Sequence, residues 1–462
     1  MRMRVLQSIR TLKQIQTVSH LGLVCTLVAA LGGITAASAE DARTLPKGRS
    51  RFSFTYAKSD GITQQYNDSG VAEDLTKPYN VNLDAQKIGD FAATISPEFS
   101  NLIKLLNDTG LRYDASKSGT KAGPITATDP TKPLLGDALT KGFLGVDVEA
   151  TQTQSAFQYM TGITDRLTVG FLIPIVSTQV RAGANISKTN NTVQDYQKAF
   201  AQMGAAFQPI SQGLQTLDSY GIETLQQMAL VNNGYQRFGS NDQSGIGDVA
   251  FGSRYNYLKT PREYWINSGE MLISAPTGKT HPADSLVAVD NGTGTWDFQA
   301  AHIINYLPSG NRGKWTFSHG DHYTYQLPGK KIMRVRENES DFLPGPSTEE
   351  NVTTKYGAKF WTNLGAKYAF SSMFSVATDY EWYWKARDNY AGSRQKDYNY
   401  LGDSTEKYLE TWDIGGTIST IDNFTQLGLP MPLELSATYY HPFRGRNAPV
   451  ASFFTIELAM YF

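Results

Sequence analysis

Cysteine is all but missing: Cys25 is the only one in 462 residues, and it lies in an apolar run behind Val24, where a lipoprotein signal needs a small residue. Beyond residue 39 there is none, which excludes disulfides, thiol catalysis and cysteine metal sites. A charge excess is missing too. Lys and Arg number 42 against 43 Asp and Glu, and without the four basic residues of the first 39 positions the balance is 38 to 43, so nothing points to a nucleic-acid partner. After residue 39 no apolar stretch approaches the roughly 20 residues of a membrane-crossing helix. If this chain crosses a membrane, it does so as a closed barrel.

What is present begins with an export signal. Arg2, Arg4, Arg10 and Lys13 open the chain without an acid among them, an apolar run extends from Leu21 to about Ile34, and Ala37-Ser38-Ala39 supplies a small-x-small cleavage site. The pattern predicts removal of residues 1–39 and a mature chain starting near Glu40. A membrane anchor is the competing reading, weakened by the shortness of the run and by Gly32 and Gly33 within it. At the other end, ASFFTIELAMYF alternates: Phe454, Ile456, Leu458, Met460 and Phe462 share one face, and Phe453, Thr455, Glu457, Ala459 and Tyr461 share the other. A soluble sandwich strand could read this way. A chain that ends on the aromatic itself, however, matches the assembly signal of bacterial outer-membrane barrels, which implies outer-membrane lipid and the barrel assembly machinery as partners.

Twelve candidate strands lie between these ends, at about 49–58, 143–159, 167–182, 245–258, 263–275, 293–306, 314–326, 354–369, 374–386, 405–420, 431–440 and 450–462. Long connections follow the first, third, fifth, seventh and ninth, and short turns follow the even-numbered ones. The fold class expected is therefore all-β: a closed antiparallel transmembrane barrel of about twelve strands, with 10 or 14 open, occupying residues 40–462 in the outer membrane. Two strands fit badly. In the seventh, His319 and Asp321 share parity with Trp315, Phe317, Tyr323 and Tyr325, which calls for a bulge near Gly320 or an end of the membrane zone; the second is Gln- and Thr-rich on both faces.

The long connections carry helical signals. In the loop or plug at 59–142, Ser96-Pro97 reads as an N-cap and first-turn proline ahead of Phe99, Leu102, Ile103, Leu105 and Leu106. In the loop 183–244, Thr192 and Asp195 read as a capping pair, with Val193, Tyr196, Phe200, Met203 and Phe207 at helical spacing. These faces either pack on each other as a cap or line a groove that captures an apolar substrate.

The segments GITDRLTVGFLIPIV (162–176), SGIGDVAFGSRY (244–255), APTGK (275–279) and GTGTWDFQ (292–299) together resemble the outer-membrane barrels assigned to the meta pathway of phenol degradation, and more distantly the long-chain fatty acid transporter type of channel. The resemblance implies a barrel, uptake of a small apolar or aromatic substrate, and no catalysis. Transporters of that type place a plug ahead of the first strand. Only about nine residues separate Glu40 from Arg49, so no such hatch is expected here, and the candidate plug is instead the segment 60–142.

Parity places Arg254, Lys359, Lys367, Asp379, Glu381, Asp413, Glu434 and Glu457 opposite the apolar series, hence towards the lumen, either paired across strands or setting a mild cation preference. Trp296, Phe298, Trp382, Trp384 and Trp412 read as lipid-interface anchors. No cofactor or metal site is expected. His319 and His322 fall on opposite strand faces, and DNGTG at 290–294 reads as a turn before it reads as a calcium loop. Other readings are a surface lipid hydrolase, which a Ser-His pair in contact would favour, and a closed adhesion scaffold.

Overall fold

The computed structural model describes residues 40–462 apart from 78–79, 95–97, 121–122, 128, 189–190, 311–312, 338–342 and 395–396. The expected leader (1–39) and the expected Ser96-Pro97 helix start lie outside the described residues. Twelve strands form the wall: β1 Ser50–Ser59, β2 Thr140–Thr164, β3 Leu167–Ser187, β4 Val249–Lys259, β5 Trp265–Ala275, β6 Asp297–Tyr306, β7 Trp315–Gln326, β8 Lys359–Ala369, β9 Phe374–Lys385, β10 Lys407–Ser419, β11 Leu433–Arg446 and β12 Phe453–Tyr461. Each pairs antiparallel with its neighbours in sequence order, and β1 closes the ring on β12, from Arg51↔Tyr461 to Ser59↔Phe453. Closure removes every free edge among these strands, as an apolar solvent demands.

Alternation explains the wall. On β12, Phe454, Ile456 and Leu458 are exposed, as is Phe462 just beyond it, while Thr455 and Ala459 are buried; on β5, Trp265, Met271 and Ile273 are exposed while Ile266 and Ser268 are buried. The exposed faces make an aliphatic belt edged by rings, Trp265, Trp315 and Phe374 at the short-turn end and Trp296, Phe298, Tyr325 and Trp412 at the long-loop end. Trp382 and Trp384 lie on the same outward face, half-buried. The fold is a transmembrane barrel.

Two expectations need correction. β2 and β3 run to 25 and 21 residues, longer than the expected segments, because they leave the belt and continue as a hairpin. The Gln- and Thr-rich stretch marks that exit: outward-facing Phe157 and Tyr159 give way to Ser155, Thr153 and Thr151, while Val146, Val148 and Ala150 stay buried against Val287 and Val289. In β7 there is no bulge, since its register with β6 and β8 is unbroken. His319 and Asp321 do face outward, bonded to each other at 3.1 Å, with His319 Nδ1 also on the Asn363 carbonyl.

Helices α1 Ala85–Thr94, α2 Glu98–Asp108, α3 Thr192–Phe200, α4 Gln208–Ser219 and α5 Ile222–Ala229 lie in the long connections. Phe99, Leu102, Leu106, Tyr196, Phe200, Leu214 and Leu217 pack into one core, a cap over the long-loop end. The expected Thr192 cap is displaced by one residue. Asn191 accepts from Val193 N, Thr192 Oγ1 instead accepts from Thr140 N, and Asp195 is held by Tyr113 and Ser118.

Candidate functional site

The lumen is filled from the short-turn end by a segment the sequence reading ruled out as a plug. Residues 40–46 run down inside the wall, from Glu40 at its deepest point to Pro46 at the short-turn end, before Gly48 turns the chain into β1. Ala42 is fully buried; its N–H donates to Asn305 Oδ1 at 2.6 Å, and its carbonyl accepts from Ser268 and Asn256. Glu40 reaches furthest. One carboxylate oxygen meets His322 Nε2 and Asn363 Nδ2, both at 3.0 Å, and its carbonyl accepts from Asn305 at 2.7 Å. Gly320 exists for this contact: a Cβ there would lie 2.1 Å from the Glu40 carboxylate. Nine residues suffice because a single extended strand's worth of chain spans half the wall.

Register sorts the inward side chains into layers. On β9 they run Asp379, Glu381, Tyr383, Lys385; on β10, Asp413, Thr411, Leu409, Lys407; on β8, Lys367, Gly365, Asn363, Trp361, Lys359. Asp379 and Asp413 are directly opposed, with Glu381 one step above, and none of the three forms an ion pair among the described residues. Like charges so placed repel. Above them Trp361, Tyr383 and Leu409 join Tyr66 of the first loop in an apolar shelf, with His322 stacked on Trp361 at 4.6 Å. Above the shelf, Lys359, Lys385 and Lys407 stand side by side in one register row, each no more than 3 % exposed.

The remaining expected lumen charges divide. Glu457 is taken by Arg51 across the β1–β12 seam at 2.5 Å, and Arg254 holds Glu270 through two nitrogens at 2.9 and 2.7 Å while also reaching the Asp41 carbonyl. Lys367 and Glu434 lie near the short-turn end within each other's field. Parity alone therefore located the charges but not their partners, since Arg51, Glu270, Glu40 and Asp41 were missed. Inward amides at Asn256, Asn305 and Asn363 were the available signal: polar groups on a narrow inner face need partners.

At the long-loop end lies a cavity of about 310 Å3, lined among others by Gln152, Val176, Asn291, Lys331, Tyr356, Lys385 and Lys407. One carboxylate ties together the loops beside it. Asp248 accepts from Gly278 N at 2.9 Å, and from Thr293 N and Oγ1 at 2.6 and 2.9 Å, so that SGIGD, APTG and NGTG are tied at one point. Gly278 and Gly292 touch backbone to backbone there, where a Cβ on either would lie within 2.7 Å of the other's Cα. In the same loop Asp290 meets His281 Nδ1 at 2.6 Å and Lys331 Nζ at 2.8 Å. Burial alone would raise the Asp290 carboxyl; His281 and Lys331 outweigh it and hold it at about 2. The carboxylate is thereby committed to these partners within the DNGTG turn.

The loop-helix residues split. Tyr196 and Phe200 are interior to the cap, Phe207 packs at its margin, and Met203 is exposed and outside it, so these four do not line one groove. Phe454, Ile456, Leu458, Met460 and Phe462 share the outward face of β12, and the Phe462 backbone pairs with Ser50 in both directions.

No family model and no curated protein matches the chain. Solved structures do. An outer membrane channel from Pseudomonas putida F1 is 12 % identical over 92 % of this chain and 99 % of its own, with a TM-score of 0.49. The monoaromatic hydrocarbon channel CymD is 10 % identical over 96 % and 97 %, at a TM-score of 0.28, and the Pseudomonas putida toluene transporter TodX is 8 % identical over 90 % of each chain, at 0.30. Likeness at this level says nothing of cargo, and the barrel stands on its own strand pairing.

Proposed function

We propose that this protein is an outer-membrane channel through which small apolar or aromatic molecules pass by diffusion, with the long loops outside and the short turns in the periplasm. The observation that carries the reading is the layered lumen: a tyrosine- and lysine-lined chamber, an aromatic shelf and an acidic waist, stacked along the axis of a closed, lipid-belted wall. Such an interior offers ring surfaces alternating with polar handholds, and it is stopped by a short segment instead of by a packed core. The apolar face of the terminal strand would serve the assembly machinery, and the resemblance to phenol meta-pathway barrels fits aromatic cargo. The test is solute entry into proteoliposomes carrying the mature protein. Benzyl alcohol and toluene are expected to enter faster than into protein-free vesicles and faster than glucose; equal rates would sink the reading.

A second reading, a surface lipid hydrolase, rests on one contact: His441 Nδ1 lies 2.9 Å from Ser452 Oγ at the long-loop rim. Among the described residues, no acidic group contacts the other ring nitrogen to orient it, as a catalytic triad requires. Phospholipid hydrolysis that Ser452→Ala abolishes would establish this reading.

A further inference from the structure

We propose that the chamber at the long-loop end is a binding site for a small aromatic carboxylate, an inference that rests on the channel reading and narrows its cargo. Three observations converge on it. First, Lys359, Lys385 and Lys407 are directly opposed on three adjacent strands, all facing inward and all buried, and the last two line the chamber. Like charges in such a register repel, and a low-dielectric wall sharpens the repulsion, so the row holds together best around an anion. Asp388 answers part of that charge, since its carboxylate takes Lys385 and the Gly357 N–H. Yet the chamber lining and its ion-pair partners together count four Lys and Arg (Lys331, Arg334, Lys385, Lys407) against three acids (Asp290, Asp388 and Glu349, which pairs Arg334 at 3.0 Å), and Lys359 stands beside them in the row.

Second, three polar side chains that line the same chamber are nine-tenths or more buried and have atoms without a partner among the described residues: Gln152 Oε1, both polar atoms of the Asn291 amide, and Thr354 Oγ1. Buried polar groups are almost always satisfied, so a cluster of orphans around one cavity points to an occupant with hydrogen-bonding atoms. The Asn291 amide and the Thr354 hydroxyl can both donate to a carboxylate, as the ammonium groups do. Third, the rest of the lining suits a ring. Tyr356, Tyr390, Val176 and Ile332 supply flat and aliphatic surface, and a cavity of about 310 Å3, at the small end of ligand sites, has room for a single-ring molecule.

The site also has a tuning device. Asp290 neutralises Lys331 at the chamber wall, so removing its charge should strengthen anion binding, whereas removing a lysine should weaken it. Opposite signs from two single-residue changes separate a built site from general disruption. The experiment is titration calorimetry of the mature protein in detergent with benzoate, alongside benzyl alcohol, cyclohexanecarboxylate and inorganic phosphate, each variant first checked for the heat-modifiable migration of a folded barrel. Benzoate should bind at least tenfold more tightly than benzyl alcohol and several-fold more tightly than cyclohexanecarboxylate or phosphate. Lys407→Gln should weaken benzoate binding severalfold or more, and Asp290→Asn should tighten it.

Benzyl alcohol binding as well as benzoate would overturn the carboxylate, and phosphate binding as well would reduce the site to one for inorganic anions. Weakening by both substitutions would overturn the site itself. Benzoate binding without entry of any aromatic solute into proteoliposomes would leave the site standing and remove the channel. Solute entry without benzoate binding would do the reverse.

Discussion

The two halves of the lumen are closed by different means. At the short-turn end a piece of the chain's own backbone, residues 40–46, occupies the axis and is hydrogen-bonded to Asn256, Ser268, Asn305, His322 and Asn363 from five different strands. At the long-loop end, loop 276–296 and the sheet of Gly329–Arg334, Glu349–Lys355 and Asn389–Ala391 roof a chamber lined by Lys331, Lys385 and Lys407 among others. The first closure is a stopper and the second a lidded vestibule. A stopper must leave or shift for anything to pass, whereas a vestibule only has to admit.

The largest expected effect comes from removing that contrast. Replacing residues 40–46 by alternating Gly and Ser keeps the length and deletes the contacts of Glu40, Asp41 and Ala42. Single-channel conductance in planar bilayers should rise severalfold, with openings turning from rare to sustained; unchanged traces would mean that the stopper is elsewhere. A smaller effect is expected on the inner wall. Glu457→Gln leaves Arg51 buried at the seam without its carboxylate and should lower barrel stability by about 3 kcal/mol in urea unfolding from detergent. Glu434→Gln, which breaks no ion pair within 4 Å among the described residues, should change it by less than about 0.5 kcal/mol. Because Arg51 occupies Glu457, a cation preference would come from Asp379, Glu381 and Asp413 among the inward acids that parity gave, and not from Glu457.

The smallest effect lies in the vestibule and depends on pH. Asp290 titrates below its unfolded value, so its contribution is fully present above about pH 4 and is lost as pH falls through about 2. Protease cleavage within 276–296 should accelerate across that window. Asp290→Asn should show the faster cleavage at every pH.

The wall of this barrel was legible in the sequence and its contents were not. Strand positions follow from an alternation that lipid on one side and polar space on the other enforce residue by residue, so Phe374, Val376, Tyr380 and Trp382 declare their strand without reference to anything else. Contents follow from meetings between distant residues. Nothing in the segment from Glu40 to Pro46 says that it turns inward; that is settled by Asn305, Asn363 and His322, which lie 265 to 323 positions away. The lysine row was half visible: Lys359 was recognised as inward, but only the register Lys359↔Lys385↔Lys407 makes three separate charges into one feature. Likewise the glycine-rich motifs were readable as turns, while the reason for them, a single Asp248 tying three loops, needed the fold.

The seam has a bearing on how such a molecule can be made. Residues 40–46 lead directly into β1, and β1 is the strand that shuts the ring against β12, with Arg51 and Glu457 meeting across 406 positions of chain. Joining points so far apart is entropically the slowest pairing in the molecule, so the cylinder stays an open sheet until late. The stopper must either be laid in that open sheet, with the wall rolling up around it, or be threaded afterwards into a bore crowded with side chains. The first order of events makes the wall's last act of construction also the moment at which the passage is sealed, and a newly inserted barrel then never exposes an unguarded pore.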